Sequence, residues 1–116
     1  MKISYLDFVK TRLDPKDQLQ KNFPASYDGK SGSLTLSNRK ILFIEEKGLM
    51  RKTYNVALEI PYEKVGEITS DGRYKLLLTE LEGKKHNFTF DMAIATTVMS
   101  VLKDLKESAL SKVVAK

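Results

Sequence analysis

Cysteine is absent from this 116-residue chain, and histidine occurs once, at His86. Without cysteine there is no disulfide framework and no thiolate metal site. With no second histidine, His86 has no zinc ligand set, and a solvent-exposed structural residue at a strand start is expected. Long apolar runs are also missing, so no transmembrane helix is expected. Asp7 interrupts the apolar part of the opening stretch MKISYLDFVK, and no signal-peptide core follows. Neither GxSxG, a Walker A loop nor a dinucleotide-binding glycine fingerprint occurs. Asp14 and Asp17 stand three apart, but in a capping context without the burial that acid–base work needs. The expectation is a non-enzymatic protein with no cofactor and no metal, and the lack of cysteine is compatible with a cytoplasmic, or peripherally membrane-bound, location.

What remains is an ordinary globular composition, 41% hydrophobic and 30% charged, of a length that suits one domain. The net charge is +5 and the pI about 9.4, which favours acidic partners without choosing among lipid, nucleic acid and peptide. The charge is uneven. Residues 39–52 hold five basic and two acidic groups, whereas residues 59–91 hold five basic and seven acidic.

The centre of the chain organises the rest. In GSLTLSNRKILFIEE (Gly32–Glu46), Leu34 and Leu36 alternate with Ser33, Thr35 and Ser37, the period of a strand with one buried face. Ser37, Asn38 and Arg39 supply a turn, and Ile41–Ile44 resume as a short apolar run, so a β-hairpin is predicted. A hairpin alone is marginal in water, and a larger sheet must cover it.

Upstream, Ile3, Leu6, Val9 and Leu13 recur at helical spacing and predict a short amphipathic helix. Asp14 and Pro15 form a cap and first-turn pair that predicts a further helical turn over Lys16–Lys21. Phe23–Asp28 reads as a first strand. Downstream, Lys47–Thr53 reads as a loop, followed by strands at Tyr54–Ile60, Val65–Thr69, Arg73–Thr79 and His86–Phe90. Tyr74, Leu76 and Leu78 are expected on one inward face. From an N-cap at Asp91, the spacing of Ile94, Val98, Val101, Leu102, Leu105 and Ala109 predicts an amphipathic helix of about four turns or more. The class is mainly β (α+β by content): a curved seven-stranded antiparallel sandwich or barrel, capped by a C-terminal helix, with an extra N-terminal helix.

Three stretches resemble the pleckstrin-homology-like family, which includes PH, GRAM, and bacterial and archaeal PH domains. GSLTLSNRKILF (Gly32–Phe43) is similar in its glycine, alternating leucines, turn, basic residue and apolar strand. IPYEKVGEI (Ile60–Ile68) is similar in its isoleucine–proline strand end, aromatic residue and short following strand. FTF (Phe88–Phe90) leads directly into the last helix, as in the family. More distantly, LEIPYEKVGEITSDGRYKLLL (Leu58–Leu78) is similar to the PH-like domain of a general transcription factor IIH subunit, a protein-peptide binding module. The resemblance implies a PH-like domain over residues 15–108, a helical extension over 1–14, and a helix end and tail over 109–116. It also implies a binding or adaptor role.

The site candidates are basic. Lys47, Arg51 and Lys52 flank Leu49 and Met50 in the loop KGLMRK, an arrangement suited to lipid phosphates beside apolar side chains. The alternative is that Leu49 and Met50 fold back and the charges are simply solvated. Phosphoinositide-binding PH domains resemble one another in a first-loop lysine, a place Lys30 could fill, and in a basic-x-arginine pattern on the following strand. Arg39 and Lys40 lie at the turn, and Ile41 stands where the next basic group belongs, so the pattern is incomplete. Lys64, Arg73, Lys75, Lys84 and Lys85 alternate with Glu63, Glu67, Glu80 and Glu82, either facing an acidic peptide or forming a mixed solvated surface. Tyr27, Tyr54, Tyr62 and Tyr74 read as core or turn residues, so nucleic acid is disfavoured. The expected function is an adaptor engaging a protein partner through strand edges or loops. The alternative is peripheral binding of anionic membranes through the basic loops. Candidate ligand-binding residues for an acidic head group or peptide are Lys30, Arg39, Lys40, Lys47, Leu49, Met50, Arg51 and Lys52.

Overall fold

Leu34 and Leu36 lie opposite Phe43 and Ile41, and this pairing forms the middle of a sheet. The computed structural model describes residues 4–48 and 50–114. The central pair is β2 (Lys30–Ser37) and β3 (Lys40–Lys47). Before it comes β1 (Leu19–Tyr27), joined to β2 by the two-residue turn Asp28–Gly29. After it come β4 (Thr53–Pro61), a single 3-10 turn at Tyr62–Lys64, β5 (Val65–Asp71), β6 (Lys75–Glu80) and β7 (Lys85–Thr89). The helices are α1 (Tyr5–Arg12) and α2 (Ala95–Val114).

All seven strands form one antiparallel sheet in the order β4-β3-β2-β1-β7-β6-β5. The expected architecture of seven antiparallel strands, a C-terminal helix and an N-terminal helix is what is observed. The sheet does not close, because β4 and β5 are both outer strands. It is two meanders, β1–β4 and β5–β7, joined at only two residue pairs, Ser26 with Thr89 and Tyr27 with Phe88. The main core lies between them. Leu34, Leu36, Ile41, Phe43 and Ile60 from one meander meet Ile68, Leu76, Leu78 and Phe88 from the other, and Val98 and Leu102 of α2 complete the cluster. Each such side chain contributes about 1.5–3 kcal/mol when withdrawn from water.

The N-terminal helix explains why Ile41–Ile44 is apolar without alternation. Ile41 and Phe43 face the main core, whereas Leu42 and Ile44 face Phe8 and Val9 of α1 in a second cluster. A strand covered on both faces has no solvent side to mark with polar residues. Tyr5, Leu13, Leu19, Tyr54 and Val56 border this second cluster. The Tyr5 hydroxyl is hydrogen-bonded to Thr35 of β2. Ser4 caps the helix, accepting from the Asp7 amide at 3.1 Å.

Several local expectations are corrected. Leu6 is 55% exposed, and Phe8 with Val9 makes the buried contact, because the sheet meets the helix one residue step around from the expected stripe. Lys16–Lys21 is not helical: β1 begins at Leu19 and pairs along its length with β2. The ladder satisfies more backbone groups than one isolated turn would. Tyr74 is 51% exposed, since it belongs to the turn before β6 rather than to the strand. α2 starts at Ala95 instead of just after Asp91. The amides of Phe90 and Ala95 bond to the carbonyls of Tyr74 and Arg73, which ties the approach to the helix to the β5–β6 turn.

Candidate functional site

The sheet separates the basic candidates into two groups. Lys30 begins β2 and Lys47 ends β3, so these two share one end of the first meander with Met50, Arg51 and Lys52 of the β3–β4 connection. Arg39 and Lys40 lie at the β2–β3 turn, at the other end of strands about 24 Å long at 3.4 Å per residue. The two groups do not form one site.

Most of the cations are also committed to neighbours. Lys40 Nζ lies 2.8 Å from Glu59 and donates to the Arg12 carbonyl at 2.9 Å. Lys52 is paired with Glu46 at 2.6 Å, and this hydrogen bond raises the lysine's pKa. Lys47 lies 3.9 Å from Glu45, and Lys30 lies 3.7 Å from Asp28. Among the described residues, Arg39 and Arg51 have no carboxylate within 4.0 Å. Met50 is 89% exposed beside Arg51. Leu49 lies outside the described residues.

A different surface is shaped as a groove. It has a volume of about 760 Å³ and runs between β5 and the second half of α2. Ile68 and Thr69 line it from the strand, and Lys103, Lys106 and Leu110 from the helix. Among the described residues, the outer edge of β5 beside it has no strand partner. Lys106 Nζ donates to the Gly66 carbonyl across the groove at 3.3 Å. Sequence reasoning missed this site, because nothing local marks β5 as an outer strand. The one available signal was Leu110, an apolar residue of α2 that follows the last core contact, Ala109, and lines the groove.

Two residues set aside on the sequence prove to be buried. His86 is 2% exposed, not solvated. Its Nε2 lies 2.7 Å from Glu80, and its Nδ1 lies 2.9 Å from the Tyr27 hydroxyl. A carboxylate only accepts, so Nε2 carries a proton, and in the neutral ring Nδ1 accepts from Tyr27. Burial first, then Asp28 and Glu80, push the Tyr27 phenol's pKa up. The Tyr27 ring packs against Phe43 and Phe88, with centroids 5.4 and 5.0 Å away. Asp17 is likewise buried, in contrast to the exposed capping role expected of it. It accepts from the Ser37 hydroxyl at 2.7 Å and from the Gln18 amide at 2.9 Å. The reason is the same for both residues: strand pairing brings distant hydrogen-bond partners to them. Among the described residues, no group of three His, Asp or Glu side chains is placed to hold a metal ion, and no helix is long and apolar enough to cross a membrane.

Compared with known proteins, the chain matches no family model. No curated protein sequence matches it significantly either.

Proposed function

We propose that the chain is a non-enzymatic, pleckstrin-homology-like binding module that engages a protein partner by taking an extended segment into the groove between β5 and α2. The observation that carries this reading is the unpartnered outer edge of β5 beside a groove of about 760 Å³. An extended peptide there gains backbone hydrogen bonds from the strand, while alternate side chains meet Ile68 and Leu110. The family part of the proposal is supported by where the resembling stretches fall. Gly32–Phe43 spans β2 and β3, Ile60–Ile68 links β4 to β5, and Phe88–Phe90 ends β7 before α2.

The test is selection from a random peptide library displayed on phage, using the folded chain as bait. Selected peptides should perturb the amide resonances of residues 66–69 and 103–111, and Leu110→Arg should abolish their binding. Peptides that bind with equal strength to the Leu110→Arg protein would sink the proposal.

A second reading, docking to anionic membranes, is favoured by one observation: Met50 is 89% exposed beside Arg51, which has no carboxylate within 4.0 Å among the described residues. It is weakened by the carboxylates already paired with Lys30, Lys40, Lys47 and Lys52. Co-sedimentation with anionic against neutral vesicles at rising salt tests it. Pelleting that requires anionic lipid and disappears in Arg51→Glu would support it. No pelleting at low salt would remove it.

A further inference from the structure

Resting on the strand-addition reading of the groove, we infer that Lys106 guards the free edge of β5, and that removing its charge opens that edge. Gly66 is the extra residue of a bulge. Val65 pairs with Glu80 and Glu67 with Thr79, which leaves Gly66 with no residue opposite. A Cβ at Gly66 would stand 3.0 Å from the Thr79 carbonyl oxygen, so glycine is what lets the two strands approach this closely at the bulge. The Gly66 carbonyl is met from the helix side by Lys106 Nζ at 3.3 Å, forty positions later in the chain.

A carbonyl on the groove side of an outer strand is an acceptor that an incoming strand would use, and Gly66 lines the groove. Here an ammonium group already occupies it. The contact is long and exposed, so a partner with further hydrogen bonds and apolar contacts can displace it. The opposite edge is protected by other means. β4 carries a bulge beside Phe43 and Ile44 and ends at Pro61. Both outer strands are therefore defended, and only the defence on β5 is a single side chain that can swing away.

The experiment compares the full chain with Lys106→Met, which keeps a long apolar stem, and with Lys103→Met, which removes a charge from the same groove wall. Sedimentation velocity over a concentration series uses the chain as its own probe. Lys106→Met should self-associate as concentration rises, while the wild type and Lys103→Met stay as they are. The peptide selected on the wild type should bind Lys106→Met about threefold more tightly, the scale of one weak exposed hydrogen bond. If Lys106→Met matches the wild type in sedimentation, the guard is overturned. If no selected peptide perturbs residues 66–69, the groove reading is overturned instead, and sedimentation alone judges the guard.

Discussion

Ser37 donates its hydroxyl proton to the buried carboxylate of Asp17, twenty positions earlier, at 2.7 Å. The same hydroxyl oxygen accepts from the amides of Arg39 and Lys40 at 3.2 and 3.1 Å. One side chain thus shapes the β2–β3 turn and anchors the segment that leads into β1. Ser37→Ala leaves Asp17 short of a partner and should cost about 1–3 kcal/mol in urea denaturation. Asp17→Asn, which keeps an acceptor oxygen, should cost less than Asp17→Ala. Equal losses in the two variants would show that the carboxylate's charge, and not the hydrogen bond, holds the turn.

Gly32 sits where two backbones meet. A Cβ added to it would stand 2.0 Å from the Ile44 carbonyl oxygen. Gly32→Ala must therefore push β2 from β3 in the middle of the sheet. A loss of about 1–3 kcal/mol or more is expected by analogy with overpacked cores. Thermal unfolding followed by circular dichroism measures it, and an unchanged midpoint would refute the close approach.

Phe8 carries α1. It is 8% exposed and packs with Val9 on Leu42 and Ile44. An isolated helix of eight residues is too short to persist alone. Phe8→Ala should cost about 3–5 kcal/mol, release α1 to proteolysis around Arg12, and uncover an apolar face that binds a hydrophobic dye. Protease resistance equal to the wild type would mean that Val9 alone suffices.

Tyr62 makes stability depend on alkaline pH. Burial first, and the Asp17 carboxylate second, push its pKa far above the ordinary 10.0. Its hydroxyl donates to the Ser37 carbonyl at 2.8 Å. A group whose folded pKa is raised contributes fully below the unfolded pKa and loses that contribution as pH rises through the folded one. The contribution is therefore whole at neutral pH and falls above about pH 10, where an unfolded tyrosine ionises. Urea midpoints at pH 8 to 11 should fall more steeply for the wild type than for Tyr62→Phe. Parallel curves would remove Tyr62 as the cause.

Much of the fold was legible because it is written in short-range periods. Leu34 and Leu36, Leu76 and Leu78, and Phe88 and Phe90 alternate as strand residues do, and Val98 with Leu102 marks one helical face. The positions misread were those whose neighbours lie far along the chain. His86 and Asp17 look like surface residues beside their sequence neighbours, and their partners Tyr27 and Ser37 are 59 and 20 positions away. Of the basic candidates one fared similarly, whereas Lys30, Lys47 and Lys52 pair with carboxylates only two to six positions away. Lys40 and Glu59, nineteen positions apart, become an ion pair only across β3 and β4.

The chain's own order of residues determined seven strands and two amphipathic helices, since φ/ψ preference and hydrophobic spacing act over a few residues. Tertiary structure alone decided which strands are left at the rim, which face of β3 lies beneath α1, and that β5 borders an open groove. Those outcomes depend on which distant segments meet, and a period of two or of about 3.6 residues carries no information about that.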